Sequence, residues 1–164
     1  MQDILFKTES FVFSYRIAGI LIRDGKLLLQ KPRNDDGYSF PGGHVSFGET
    51  SDKALIREFK EEIGADIKVV RLLLIGEVFF PWGSKPCQQI GLYYLVTLCD
   101  ETQIPLEGTF RAFDELCGER VDLDFCWVPL SNLGDITLYP KGLEQDLLSP
   151  AENTKHFVYV EASV

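Results

Sequence analysis

Apolar and polar positions lay out the elements before any chemistry enters. Phe11 to Ile22 is aromatic, aliphatic and β-branched, which predicts a strand. Asp24-Gly25 is a hairpin turn signal, with Lys26–Lys31 as the returning strand and 32–37 as a polar loop. Further strands are predicted at Ile67–Phe80, Gln88–Cys99 and Phe125–Pro129, and a last one at His156–Glu161. A turn-rich loop fills Pro81–Pro86, and a short helix is predicted over Lys141–Leu148. Asp100–Asp124 is long and acidic, and its mixed signals give no clear element.

One helix stands out, from Thr50 to Ile63. Thr50 or Ser51 is placed to cap it and Gly64 to stop it. Positions three and four apart share a helix face. Glu58, Glu61 and Glu62 therefore converge on one side, and Ile56, Phe59 and Ile63 on another. Strands and helices alternate irregularly, so the expected class is α/β, with a mixed sheet flanked by helices.

Composition adds boundaries to this picture. The 164 residues, 45% hydrophobic and 25% charged, suit a single globular domain over 1–164. A net charge of −9 argues against a nucleic-acid partner held by a basic face. It leaves open a small phosphate-bearing substrate, because divalent cations reverse the local sign of an acidic pocket. No signal peptide and no membrane-spanning run is visible. Cys87, Cys99, Cys117 and Cys126 form no metal-binding spacing and read as reduced thiols, mostly buried, in a cytoplasmic protein.

Three glutamates on one helix face repel one another, by roughly 0.2–0.5 kcal/mol per pair when exposed. A hard divalent cation such as Mg²⁺ removes that penalty, polarises a phosphoryl oxygen and helps activate water. Arg57, four residues before Glu61, is placed to brace it. Taken alone, the three glutamates read equally well as a solvated acidic face.

The wider pattern tips the balance. Gly43, Glu49, Arg57, Glu58, Glu61, Glu62 and Gly64 fit the spacing G-x5-E-x7-R-E-U-x-E-E-x-G-U, where U is a bulky aliphatic residue. At ordinary residue abundances, seven fixed positions coincide by chance about once in 10⁸ sites. The segment resembles the signature of the Nudix hydrolases. Phe59 and Ala65 depart from it at two U positions but remain apolar. Phe40-Pro41-Gly42-Gly43 ahead of the signature, the two preceding strands, and Trp127-Val128-Pro129-Leu130 are also similar to members of that family.

The resemblance implies an α/β/α sandwich around a mixed sheet. It implies Mg²⁺, with Mn²⁺ as a substitute, held by Glu58 and Glu62. Glu61 would be a third ligand or the residue that helps deprotonate water. A backbone carbonyl of Gly42 or Gly43 would join the metal. Glu49 and Arg57 would support these groups, Arg57 by orienting a glutamate. Family members often recruit one more acid from a distant loop, and Glu101, Glu107, Glu115, Glu119, Asp122 and Asp124 are all candidates.

Phe80 and Trp82 are candidates to stack on a nucleobase, with packing in the core as the plainer alternative. Pro81, sixteen residues beyond Ala65, resembles a mark of ADP-ribose pyrophosphatases within the family. Arg33, Lys31 and Arg16 are candidates for phosphate contacts, although exposed surface charge explains such residues more often. The leading expectation is hydrolysis of a nucleoside diphosphate linked to another moiety, ADP-ribose or a nucleotide sugar first. A housecleaning pyrophosphatase of oxidised or non-standard nucleoside triphosphates is the second reading. A nucleotide-binding module without turnover is the third. Homodimerisation would be in keeping with the family.

Overall fold

The computed structural model describes residues 2–33, 36–116 and 119–162, and for 112–116 and 119–121 the backbone alone. Its strands are β1 (Leu5–Lys7), β2 (Val12–Arg23), β3 (Lys26–Pro32), β4 (Gly37–Tyr38), β5 (Ile67–Trp82), β6 (Lys85–Leu98), β7 (Thr109–Leu116), β8 (Glu119–Pro129), β9 (Thr137–Leu138) and β10 (Lys155–Val160). Helix α1 covers Ser51–Glu58 and continues as a π-helical turn over Phe59–Ile63; α2 covers Glu144–Leu148.

Eight strands form one sheet in the order β10-β5-β6-β2-β3-β8-β7, with β1 paired to β2. The pairs β2/β6 and β10/β5 are parallel and the rest of the sheet is antiparallel, so it is mixed as expected. β4 and β9 make a separate two-stranded ladder.

The predicted hairpin at Asp24-Gly25 is present, both residues having positive φ. Its strands then part: β2 and β3 pair only at Ile22–Leu27 and Arg23–Lys26. The segment 41–45 fills the opening. Gly19 N–H donates to Pro41 O at 2.8 Å, Ile17 N–H to Gly43 O at 2.9 Å, and Val45 N–H to Tyr15 O at 3.1 Å. The motif's entry is thus stitched into the sheet as a strap along β2.

Alternation along β2 sends Ile17 and Leu21 to one face and Ala18 and Ile20 to the other. The first face packs on α1 through Ala54, Leu55 and Phe59; the second packs on Phe40, Leu133, Leu138, Leu143 and Leu147. Helices therefore cover both faces, though sparsely.

Three expectations need correction. The turn-rich loop expected over Pro81–Pro86 shrinks to a tight turn at 83–84: β5 runs to Trp82 and β6 starts at Lys85, with Pro81 opposite Pro86. Asp100–Asp124 holds a 3₁₀ turn at Glu101–Gln103, all of β7 and the start of β8. This hairpin lies at the sheet edge, where a strand needs only one apolar side and tolerates many charges. The apolar side of α1 is Ala54, Leu55 and Phe59, whereas Ile56 is 40% exposed. Gly64 does stop the helix, in the left-handed conformation.

Candidate active site

The buried stripe of α1 carries acids as well as apolar groups. Glu58 and Glu62 are each 8% exposed and lie on the face turned to the protein. They are not a solvated surface. Burying carboxylates is costly unless they are paired or neutralised, so the local surroundings must supply positive charge.

Arg57 supplies part of it. Its Nη2 is 2.7 Å from Glu49 Oε1, and its Nη1 lies 2.7 Å from Glu58 Oε1 and 3.0 Å from Glu61 Oε2. Nη2 also donates to the His44 carbonyl at 3.3 Å. The hydrogen bond from Arg57 is the main reason the Glu49 carboxyl titrates below its usual range. In turn, the Glu49 bond raises the Arg57 value and keeps the guanidinium charged. Glu49 also accepts from the Ser46 N–H at 2.9 Å, which ties the helix to the end of the strap. Glu61, on the outer side, is 60% exposed at its side chain and held by Arg57 alone among these contacts.

The two glycines make the geometry possible. Gly42 has φ +145°, and a Cβ there would collide with the backbone of Ile17 and Ala18 on β2. A Cβ on Gly43 would overlap the Glu58 carboxylate. The strap therefore lies flush against β2 on one side and against the buried acid on the other. The Gly43 carbonyl accepts from Ile17 N–H, and the Gly42 carbonyl accepts from Arg16 Nη2 at 2.9 Å.

The hard oxygen donors of the buried Glu58 and Glu62, the former held against the Gly43 backbone, suit a small divalent cation. Among the described residues no three His, Cys, Asp or Glu side chains form a ready-made cage. Mg²⁺ asks for none: it keeps several waters and takes one or two carboxylates together with substrate phosphates.

On the opposite face of the sheet lies a pocket of about 440 Å³. β5 contributes Val78, Phe80, Pro81 and Trp82, and β6 contributes Gln89 and Tyr93; Tyr139, Tyr159 and Arg16 add to the wall. Phe80 and Trp82 rings sit 6.2 Å apart, and Lys7 Nζ lies 5.2 Å from the Trp82 ring centre. Gln89 is 8% exposed and accepts from the Ser14 hydroxyl at 3.3 Å. Burial pushes the Tyr93 hydroxyl above its ordinary range. His44, 5% exposed, has its value lowered to about 4 by burial first and by Arg16 next, so the ring is neutral.

The structure thus gathers Gly42, Gly43, Glu49, Arg57, Glu58, Glu61 and Glu62 at the helix and strap, and Phe80, Pro81 and Trp82 in the pocket. It does not bring Arg33 there; that residue is exposed beyond β3. Lys31 lies over the Tyr38 ring at 5.3 Å. Of the distant acids, Glu101 pairs with Arg23 and Asp124 with Arg111, and Glu107 and Asp122 are exposed. None of these four lines the pocket. The side chains of Glu115 and Glu119, and all of Cys117, lie outside the described residues. Cys87 is buried, whereas Cys99 is exposed. Tyr139, Tyr159, Gln89 and Glu161 were not singled out in the sequence, which gives no local signal for residues brought together from three separate segments.

The likenesses to known proteins agree with this geometry. Over 135 residues the chain is 28% identical to an RNA pyrophosphohydrolase of Baumannia cicadellinicola, covering 71% of this chain and 79% of that one. A shorter stretch of 60 residues is 43% identical to an ADP-ribose pyrophosphatase of Methanocaldococcus jannaschii, covering 35% and 36% of the two chains. The crystal structure of an ADP-ribose pyrophosphatase from Streptococcus suis superposes with a TM-score of 0.56 at 20% identity, over 88% of this chain and 98% of that one, which shows the shared fold. No described helix is long and apolar enough to cross a membrane. The NUDIX domain model matches residues 14–147, which span the strap, the carboxylate helix and most of the pocket wall, and the chain belongs to the Nudix hydrolase family.

Proposed function

We propose that this chain hydrolyses the pyrophosphate link of a nucleoside diphosphate joined to a second moiety, with ADP-ribose or a nucleotide sugar as the first candidates. One observation carries the reading. An aromatic pocket of about 440 Å³ is tied to the two-glycine strap through Arg16 of its wall, which donates to the Gly42 carbonyl, and the next strap residue, Gly43, lies against the buried Glu58. That volume falls in the range of small-molecule sites. Phe80 and Trp82 offer ring faces to a base, and Pro81 between them is the residue that resembles the ADP-ribose pyrophosphatase mark. The M. jannaschii relative carries that activity in its name.

In this reading Glu58 and Glu62 hold Mg²⁺, or Mn²⁺ in its place, with the strap carbonyls beside them. The ion supplies charge stabilisation at the phosphoryl oxygens and lowers the cost of ionising water. Arg57 fixes Glu58 and Glu61 through charge-assisted hydrogen bonds. Glu61, the most exposed of the three, takes the proton as water oxygen bonds to one phosphorus and the bridging P–O bond breaks. The products are a nucleoside monophosphate and the phosphorylated remainder. Phe80 and Trp82 hold the base end so that the diphosphate lies along the strap.

The test is a hydrolysis panel with Mg²⁺: ADP-ribose, nucleotide sugars, dinucleoside polyphosphates, NADH, and normal and oxidised triphosphates. Turnover of a diphosphate-linked substrate is expected, abolished by a chelator and cut by about 10²–10³-fold in Glu62→Gln. Trp82→Ala is expected to raise KM by roughly tenfold with a smaller effect on kcat. Turnover confined to oxidised triphosphates would sink the diphosphate reading in favour of housecleaning. A folded, metal-loaded protein that turns over nothing would point to a binding module.

A further inference from the structure

Arg16 projects from the middle of β2 into the pocket wall and is half-buried there. It occupies the junction of the two halves of the site. Its guanidinium donates to the Gly42 carbonyl at 2.9 Å, and the next residue of the strap, Gly43, lies against the Glu58 carboxylate. Arg16 therefore links the pocket wall to the strap that abuts the buried Glu58.

The side chain also holds unused binding capacity. A guanidinium offers five N–H donors in a planar fork suited to phosphate. Among the described residues its hydrogen-bond acceptor is one carbonyl, that of Gly42, and it makes no ion pair with a carboxylate. The acid in the pocket lining, Glu161, follows β10, three strand spacings or roughly 14 Å from β2. Neighbouring His44 is buried, and its Nε2 has no hydrogen-bond partner among the described residues. A half-buried cation without an anionic partner among the described residues, in a chain of net charge −9, is placed for an anion that arrives from outside.

We infer that Arg16 is the diphosphate-binding residue of the site, gripping the phosphoryl group on the pocket side of the bond that is cut while the glutamates work on the other side. This rests on the proposed function above for its substrate class, but not for the anion site itself. Arg16 exchanges or shares the Gly42 carbonyl for phosphoryl oxygens, and the pocket and the glutamates then act on one extended ligand. The arginine sets specificity for substrates that carry charge at this point.

The experiment compares wild type, Arg16→Met and Arg16→Lys with two probes. Inorganic pyrophosphate is titrated calorimetrically in the presence of a chelator, and ADP-ribose turnover is measured with Mg²⁺. Wild type is expected to bind pyrophosphate, with an affinity that falls as salt rises. Arg16→Met is expected to weaken it by about tenfold or more and to flatten the salt dependence. Arg16→Lys, a point charge without the fork, is expected to fall in between. For ADP-ribose, KM is expected to rise more than kcat falls. A merely structural role would lower the melting temperature and leave the salt dependence as it was.

Wild type that does not bind pyrophosphate overturns the inference. So does an Arg16→Met protein of unchanged melting temperature that binds pyrophosphate as wild type does. If Arg16→Met does not fold, an Arg16→Lys variant with wild-type affinity and wild-type KM overturns it in the same way. Arg16-dependent pyrophosphate binding without turnover of any substrate would remove the hydrolase reading and leave the anion site standing. Turnover with a KM that ignores Arg16 would do the reverse.

Discussion

Arg57 and Arg16 stand on the two sides of one strap and live in opposite surroundings. Arg57 is enclosed by Glu49, Glu58 and Glu61, and its own charge is more than cancelled. Arg16 meets a neutral carbonyl on the wall of an aromatic pocket. One residue type therefore does two jobs: the first arginine organises acids, and the second is left with its charge unspent. Across the strap the polarity reverses, negative beside α1 and positive beside the pocket. That is the polarity the proposed substrate would need, with a divalent cation at one end and phosphoryl oxygens at the other.

The contrast is sharpest in stability. Arg57→Met leaves buried carboxylates facing one another and is expected to cost about 3 kcal/mol. In a chain of this size that lowers the melting temperature by roughly 6–12 °C. Arg16→Met should stay within about 1 kcal/mol of wild type in thermal melts. Equal losses in both variants would break the comparison.

Gly43→Ala strikes the strap between them. The added methyl meets the Glu58 carboxylate, and displacing a reacting group by about 1 Å can cost on the order of 10²-fold in rate. A drop in kcat near that size is expected while pyrophosphate binding at Arg16 persists. Loss of both in parallel would mean that the two sides are not separable.

Acid separates the regions further. His44, beside Arg16, has a folded value of about 4 against an ordinary 6.5. As pH falls the unfolded chain takes the proton first, so stability declines between pH 6.5 and 4, by about 2 kcal/mol at pH 5. His44→Gln should flatten that slope in denaturant titrations run at several pH values. Glu49, beside Arg57, has a lowered value. Its contribution is present above the ordinary carboxylate range and is lost only as pH falls through the lowered value. Glu49→Gln should therefore cost about 1 kcal/mol at pH 7 and progressively less in strong acid. A Glu49→Gln penalty that is unchanged at low pH would contradict the pairing.

Much of the helix and strap was legible because the chemistry there is written in consecutive residues. The spacing of Gly43, Glu49, Arg57, Glu58, Glu61 and Glu62 pointed to one cluster, and Gly64 marked the helix end. The face was misread at Ile56, because a stripe that includes two glutamates does not look apolar even when it is buried. The pocket was legible only at Phe80, Pro81 and Trp82, which are adjacent in the chain. Gln89, Tyr139 and Tyr159 reach it through strand pairing and a late loop, which no local pattern encodes. Arg16 and Arg33 look alike as isolated cations. What separates them is the parting of β2 from β3, which puts one beside the strap and the other beyond it.

That parting leaves a signal that can be read amide by amide. In a continuous sheet the N–H groups of Ile17 and Gly19 would bond to a neighbouring strand and would exchange with deuterium only when the sheet itself opens. Here they bond to the carbonyls of Gly43 and Pro41, in the strap that forms the site. Their exchange rates are set by how often the strap lifts rather than by how often the molecule unfolds. Two amides at the centre of the longest-paired region of β2 are therefore reporters of the proposed catalytic end, and a ligand that settles against the strap should slow them before it slows any other residue of that strand.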